Sequence, residues 1–246
     1  MSLEKKAAKI LKNSKFVVAF TGAGISTESG VPDFRGPGGI WEKYNPEMFT
    51  IQRLKSNPKE VWKKLLQIEE EFQKSEIEPN PGHLALAELE DMEILTGIIT
   101  QNIDGLHQRA GNSPEKVIEL HGNLRELECM NCGIHISRPV EIKEIPPTCT
   151  ECGSIMKPAT VLFGEKLPKS ALMRAHSLAE KSDAFLVIGS SLRVQPAASF
   201  PAKASQTNAD LIIVNKDSTP IDGKAEVVLK GLAGRILPEI LKNIEH

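Results

Sequence analysis

Three groups of residues in this 246-residue chain have the types and spacing to do chemistry. The first is a set of four cysteines, Cys129, Cys132, Cys149 and Cys152, arranged as two C-x-x-C pairs. Pairs at this separation suit four thiolates on one tetrahedral Zn²⁺, and four protein ligands leave no open coordination position, so such a metal is structural. Gly133 and Gly153 follow the two pairs and suit the tight turns that bring backbone N–H groups to sulfur. A redox or disulfide pair is the competing reading, which a cytosolic setting disfavours. His135 falls in the same segment but is not counted as a ligand.

The second group follows the apolar run 16–20, which breaks at Thr21 into Gly22, Ala23, Gly24, Ile25 and Ser26. A strand that empties into a glycine loop and then a short helix cradles phosphate, because glycine permits close backbone approach and N–H groups at a helix start face the anion. The dinucleotide fingerprint wants a third small residue three positions after the second glycine, and here that residue is Thr27. Beyond it Gly30, Pro32 and Gly36 exclude a long regular helix. An irregular flap carrying Phe34 and Arg35 is expected instead.

The third group stands at the ends of two further apolar runs: Gln101, Asn102, Ile103 and Asp104 after 94–100, and His121 after 116–120. Read alone, Asn102 or Asp104 better suits the N-cap of a helix starting at Gly105 than a catalytic role. A lone histidine is more often packed than catalytic; His121 is distinguished by its place at a predicted strand terminus. His83 and His107 fall inside helical patterns and read as structural.

These groups need elements to hold them. An amphipathic helix capped by Ser2 is expected at the N-terminus, followed by strands near 16–20, 94–100, 116–120, 160–163, 184–188, 211–214 and 226–229. Asn57-Pro58 and Asn80-Pro81 read as N-cap plus first helical residue, opening helices to about 74 and over 83–91. Further helices are expected near 168–181, 196–205 and 233–244, with 37–57 irregular. Residues 123–158 hold all the cysteines and four prolines, and look like an inserted module. Apolar runs alternating with helices, several ending in polar or glycine residues, indicate an α/β doubly wound parallel sheet that binds ligands beyond the carboxyl ends of its strands.

A net charge of −2 gives no electrostatic footprint for nucleic acid or an anionic membrane. No apolar run approaches the ~20 residues of a transmembrane helix. The lysine-interrupted N-terminus lacks the apolar stretch of a signal peptide, so a cytoplasmic protein is expected.

Taken jointly, the pieces resemble one family. TGAGIS at 21–26, GVPDFRG at 30–36, TQNIDGLHQRAG at 100–111, ELHG at 119–122, the paired C-x-x-C module, FGE at 163–165, GSSLRVQPAA at 189–198 and IVN at 213–215 occur in the order of a sirtuin. The resemblance spans nearly the whole chain. It implies a Rossmann-like NAD-binding domain (1–36, 81–121 and 159–246). It also implies a smaller domain made of a helical module (37–80) and a zinc-binding module (122–158), with one structural Zn²⁺. The implied activity is NAD-dependent removal of acetyl and longer neutral acyl groups from protein lysine, with NAD consumed as co-substrate. An acyl-lysine protein or peptide is the implied partner, with neither nucleic acid nor membrane bound.

Matched by motif, Gly22, Ala23, Gly24, Ser26, Thr27, Phe34 and Arg35 belong to the cofactor loop. Gln101, Asn102, Ile103 and Asp104 surround the nicotinamide ribose and carboxamide. Gly189, Ser190, Ser191, Asn215 and Ala233 serve the adenosine half. Val161 and Phe163 line the acyl-lysine tunnel or pair with substrate backbone as a strand. His121 is the implied general base, with Asn102 beside it as a second catalytic residue. In the family mechanism the acyl oxygen displaces nicotinamide, the histidine accepts a ribose hydroxyl proton, and free lysine and O-acetyl-ADP-ribose result. Members that prefer acidic acyl groups carry a Tyr and an Arg where the helical-module match gives Leu65 and Ile68. No guanidinium would pair with an acyl carboxylate there, so neutral acyl groups are the expected substrates. Three rivals share some of these features: an ADP-ribosyltransferase using the same pocket, a non-catalytic zinc-ribbon module and a Rossmann oxidoreductase.

Overall fold

The structure is a computed structural model that describes all residues except 35, 37, 74, 75, 140, 141 and 246, together with the side chains of 72 and 73. In chain order the helices are α1 (Leu3–Asn13), α2 (Ile40–Lys43), α3 (Ile51–Ser56), α4 (Pro58–Gln73), α5 (Pro81–Asp91), α6 (Leu106–Ala110), α7 (Lys169–Lys181), α8 (Ser199–Gln206) and α9 (Ala233–Glu245). The strands are β1 (Val17–Thr21), β2 (Leu95–Thr100), β3 (Val117–Glu119), β4 (Gly122–Cys129), β5 (His135–Ser137), β6 (Met156–Thr160), β7 (Ala184–Ile188), β8 (Asp210–Asn215) and β9 (Val227–Lys230).

Six strands form one parallel sheet in the order β3-β2-β1-β7-β8-β9. Central β1 and β7 are buried at every position, which is why their sequences are continuous apolar runs and not alternating ones. One face of the sheet packs on α1, α5 and α9, the other on α7 and α8. Gly97 in β2 has a local packing reason: a Cβ there would lie 2.9 Å from Leu178 Cδ1 of α7. The strand order reverses between β1 and β7, and a doubly wound sheet opens its ligand crevice at that point.

A second sheet, β5-β4-β6, is antiparallel. With α3 and α4 it encloses a third apolar cluster built on Leu54, Val61, Trp62, Leu127 and Met156, and the indole of Trp62 donates to Met156 O at 2.8 Å. This smaller, partly antiparallel body is the second domain of the fold class.

Local chemistry explains the boundaries. The Ser2 hydroxyl accepts from Lys5 N and caps α1, and Asn80 caps α5 with Pro81 in its first turn. Three expectations are corrected. Residues 37–57 are not irregular throughout, because Asn45 and Thr50 cap a 3₁₀ turn and α3. The strand expected at 160–163 lies at Met156–Thr160 and joins the small sheet, where Pro158 is tolerated on an edge strand; Phe163 makes only an isolated bridge to Thr50. The helix expected from 196 begins at Ser199. The short helix expected after the glycine loop takes the form of two 3₁₀ turns, Ala23–Ile25 and Thr27–Ser29.

Candidate functional site

The site assembles where β1 and β7 end. Gly22 N–H donates to Ile188 O at 3.0 Å, and Gly24 N–H donates to Gly189 O at 2.8 Å. A Cβ on Gly24 would lie 2.7 Å from Gly189 Cα, and one on Gly189, whose φ is +58°, would lie 2.3 Å from Ile25 N. The two loops therefore mesh backbone to backbone, which only glycine allows, and the crevice floor is bare main chain. The N–H groups of these glycines are spent within the mesh, Gly189 N–H on Val214 O at 3.0 Å, so the glycines supply close approach and not donors. Thr27, exposed and in the position of the fingerprint's third small residue, turns its hydroxyl back onto Gly24 O at 3.0 Å. Ala23, beside it, is partly exposed.

Behind the loop lies a polar network. The Asn102 amide donates to Gly22 O at 3.2 Å and to Ser26 Oγ at 3.1 Å. Ser26 Oγ donates to Asp104 Oδ2 at 2.8 Å, and Asp104 Oδ1 accepts from Leu106 N at 3.0 Å. Asp104 thus starts α6 and belongs to the network behind the loop at once. Both Asn102 amide hydrogens are spent on the loop, so Oδ1 is its remaining polar atom. Burial raises the Asp104 carboxyl above its ordinary pKa, against the lowering effect of its hydrogen bonds.

His121 sits between β3 and β4, where the parallel sheet hands over to the antiparallel one. Its carbonyl accepts from Val161 N at 2.9 Å. The next residue, Gly122, has φ +73°, and a Cβ on it would lie 1.9 Å from Ala159 O. The His121 Nδ1 faces Gln101 O at 2.9 Å. A carbonyl only accepts, so Nδ1 carries the proton in the neutral ring and Nε2 holds the free lone pair. Burial pushes the imidazole below its ordinary pKa, opposed by that bond. The result is a half-buried base in a fixed tautomer.

The other expected residues stand at element ends and in the loops beyond them. Gln101 Nε2 donates to Ser190 Oγ at 2.8 Å, tying the β2 end to the loop after β7. Ile103 is partly exposed beside Asp104, and Ser191 is exposed beside Ser190. Asn215 ends β8 and donates to Asp217 O at 2.7 Å. Ala233 is buried as the first residue of α9, next to Gly234, whose N–H donates to Glu28 Oε2 at 2.7 Å. Arg35 lies outside the described residues. Phe34 packs on Trp41 with ring centroids 5.3 Å apart, and Trp41 also meets Phe163 at 5.6 Å. Val161 is partly buried. Strand pairing with a substrate at Phe163 is corrected: its N–H donates to Phe49 O and its C=O accepts from Ile51 N, so it offers a side chain and not a backbone edge.

Two histidines read from the sequence as structural prove to support the site. His83 Nε2 lies 3.4 Å from Ser26 Oγ, and its Nδ1 accepts from Asn80 N at 3.4 Å. His107 Nε2 lies 2.9 Å from Thr21 Oγ1, which donates to Thr100 Oγ1; Asn102 N donates to the same Thr100 oxygen at 3.0 Å. Burial lowers the His83 pKa to about 4 and the His107 pKa to about 3, so both rings are neutral near pH 7. The position of His83, three residues after the N-cap Asn80, is the signal that marks a capping role. Nothing in the sequence links either ring to β1.

The four cysteine sulfurs all lie within 4.8 Å of one another, with Cys129 to Cys152 at 3.5 Å and Cys132 to Cys149 at 3.7 Å. A tetrahedron with Zn–S of about 2.3 Å has sulfur–sulfur edges near 3.8 Å, so the cluster fits one structural Zn²⁺. Asn131 N–H points at Cys129 Sγ at 3.5 Å, and His135 is instead bonded to Glu126.

Comparison with known proteins agrees with this geometry. A family model, that of the Sir2 family, matches residues 22–196. The chain is 45% identical to the NAD-dependent protein deacylase 2 of Archaeoglobus fulgidus, over 98% of this chain and 96% of that protein. Among solved structures it is similar to a Sir2 homologue in complex with NAD, with a TM-score of 0.89 and 40% identity over 98% of this chain and 93% of that one. It is also similar to a Sir2 variant holding a deacetylated p53 peptide and 3′-O-acetyl-ADP-ribose, with a TM-score of 0.87 and 36% identity over 98% of each chain.

Proposed function

The chain belongs to the Sir2 family, and from that premise we propose that it is an NAD-dependent protein-lysine deacetylase. It takes an acetylated protein or peptide, consumes NAD and releases nicotinamide and O-acetyl-ADP-ribose. The observation that carries this reading is the tautomer of His121, whose Nδ1–H is held by Gln101 O at a strand end beside the glycine crevice.

When bound, NAD supplies the glycosidic bond whose cleavage activates the sugar carbon. The residues of the chain do the rest. Gly22, Gly24 and Gly189, lacking side chains, would leave room for the pyrophosphate to approach the loop closely. Ser190, Ser191, Asn215 and Ala233 would hold the adenosine half, and Gln101, Ile103 and Asp104 the nicotinamide half. The bonds of Asn102 to Gly22 O and Ser26 Oγ fix where its Oδ1 can accept. His121 accepts a hydroxyl proton at Nε2, and the held Nδ1–H keeps the ring from turning as it charges. The half-buried setting limits water. Val161 and the exposed ring of Phe163 line the way in for the acyl chain.

The proposed domain division (1–36, 81–121 and 159–246 against 37–80 and 122–158) is supported by the third apolar cluster. Its members lie in 48–66 and 127–156, apart from Leu162. Among the described residues no helix is long and apolar enough to cross a membrane, and a cytoplasmic location is part of the proposal. Incubation of an acetyl-lysine peptide with and without NAD, read by mass, tests the function. Loss of the acetyl mass only with NAD, together with O-acetyl-ADP-ribose, is the expected result. Transfer of ADP-ribose to the unacetylated peptide would instead identify a transferase. Leu65, packed on the third cluster, and the partly buried Ile68 offer no charge to an acidic acyl group. A succinyl-lysine peptide should therefore show kcat/KM at least 10-fold below that of the acetyl peptide, and equal values would refute the neutral preference.

A further inference from the structure

Lys157 on β6 is the one buried lysine or arginine among the described residues, with 6% of its surface exposed. A lysine is almost never buried unless it is paired, because its charge must be met where water does not reach. Three acceptors surround its Nζ. Thr160 O lies at 2.9 Å, Glu128 Oε2 at 3.1 Å and Glu165 Oε2 at 3.3 Å. A carbonyl and two carboxylates only accept, and an ammonium carries three N–H groups, so donors and acceptor groups match one to one.

The places of those acceptors in the chain give the cluster its meaning. Glu128 stands opposite Lys157 in the register of β4 and β6 and belongs to the antiparallel sheet. Thr160 is the last residue of β6, and Glu165 lies just past the loop 161–164. One Nζ therefore holds both ends of that loop and ties them to the sheet. The loop carries Val161 and Phe163, the two residues matched by motif to the acyl-lysine site. Glu165 Oε2 also accepts from Leu162 N at 2.8 Å, and Glu165 N–H donates to Leu162 O at 3.0 Å. The carboxylate that Lys157 holds thus closes the turn inside the loop as well. At the near end Thr160 pairs with Gly122, and Val161 N–H donates to His121 O at 2.9 Å, which sets the start of the loop beside the base.

We propose that Lys157 is a positioning residue for the acyl-lysine substrate: its Nζ clasps Thr160 O and Glu165, and so fixes where the loop 161–164 presents Val161 and Phe163. A buried ion pair adds little net stability over an apolar replacement, since desolvation offsets the attraction. What it does supply is direction. An apolar side chain of similar length would fill the space without holding either end of the loop. None of the three partners belongs to the glycine loops at 22–26 and 189–191, so loss of the clasp is felt by the peptide and not by the co-substrate. The inference deepens the deacetylase reading given above and rests on it.

Steady-state kinetics with an acetyl-lysine peptide at saturating NAD, and calorimetry of ADP-ribose without peptide, test it on the native chain and three variants. Lys157→Met removes Nζ and keeps an unbranched stem. It should raise the peptide KM by roughly fivefold or more, the worth of a lost charge-assisted hydrogen bond, and leave the ADP-ribose Kd within about twofold. Glu165→Gln keeps the shape and an acceptor oxygen but loses the charge that meets Nζ. It should raise KM by roughly threefold or more, and it decides the matter if Lys157→Met does not fold. Glu128→Gln weakens only the contact on the sheet side, and KM should stay within about twofold of the native value. A lysine that merely stabilises the sheet would leave KM unmoved in all three variants, or let Glu128→Gln raise it as much as Glu165→Gln. Either result overturns the proposal, as does an ADP-ribose Kd that weakens as much as the peptide KM rises. Failure of the deacetylase reading shows separately, as absence of NAD-dependent loss of the acetyl mass from the native chain.

Discussion

At the scale of the residue, the site depends on rings kept neutral and on hydrogen-bond donors that have only one place to go. The Nδ1–H of His121 is spent on Gln101 O, so proton transfer belongs to Nε2. Replacing His121 by Ala should lower kcat/KM for deacetylation by at least 10²-fold while leaving the circular dichroism unchanged. Because burial holds the imidazole below its ordinary pKa, more of the base is free at a given pH than for an exposed histidine. The acid limb of the kcat/KM profile should therefore have its midpoint below about 6.5, the ordinary histidine value. His83 and His107 make a separate prediction about stability. Their folded pKa values, about 4 and about 3, lie below the unfolded value of 6.5. Below pH 6.5 the unfolded chain binds protons that the folded chain refuses, so stability is whole above pH 6.5 and declines as pH falls toward 4. The slope approaches ~1.4 kcal/mol per pH unit for each ring. Urea unfolding at pH 7.5, 6 and 5 measures it, and His83→Asn should reduce the pH slope by roughly half.

At the scale of the element, two loops and two knuckles fix the geometry. The loop after β1 and the loop after β7 interlock through glycine at 24 and 189. Gly189→Ala puts a Cβ 2.3 Å from Ile25 N in a backbone with φ +58°. The backbone strain alone should cost about 1–3 kcal/mol, and the displaced loop should weaken ADP-ribose binding more than peptide binding. Thermal unfolding and calorimetry on one sample separate the two effects. The fingerprint was legible as a phosphate loop because β1 is an unbroken apolar run that ends in Gly22 and Gly24. Its continuation as 3₁₀ turns was not, since Thr27 and Glu28 carry no strong local preference and the mesh with Gly189 decides the path. Likewise the strand expected at 160–163 was displaced to Met156–Thr160. Pairing with β4 outweighs the helix- and strand-breaking tendency of Pro158 on an edge.

At the scale of the whole molecule, the two sheets have different sources of stability. The parallel sheet rests on two apolar layers, whereas the antiparallel sheet shares a smaller cluster that includes Cys129 and Cys149. Stripping Zn²⁺ with a strong chelator should therefore open β4–β6 first. Hydrogen exchange should speed in 122–137 and 149–160, while β1 and β7 keep their protection. Uniform loss of protection across both sheets would show instead that the metal supports the entire fold. Phe163 and His121 lie where the two sheets meet, so metal loss should lower acetyl-peptide affinity before ADP-ribose affinity.

What the sequence determined by itself was everything that depends on near neighbours. The cysteine spacing set the knuckles, Asn80-Pro81 set the start of α5, the apolar runs set the parallel strands, and the motif order pointed to the family. It also singled out Gln101, Asn102, Asp104 and His121, whose shared position at strand ends follows from pattern alone. The tertiary structure decided what depends on contacts between distant segments. It turned Nδ1 of His121 toward Gln101 O, and it brought His83 and His107 behind Ser26 and Thr21. It also committed the backbone of Phe163 to Phe49 and Ile51, and placed Trp41 between Phe34 and Phe163. Local propensity fixes which residues stand at the end of an element; only packing fixes which way each hydrogen bond runs and which rings touch, because those partners lie far away in the chain.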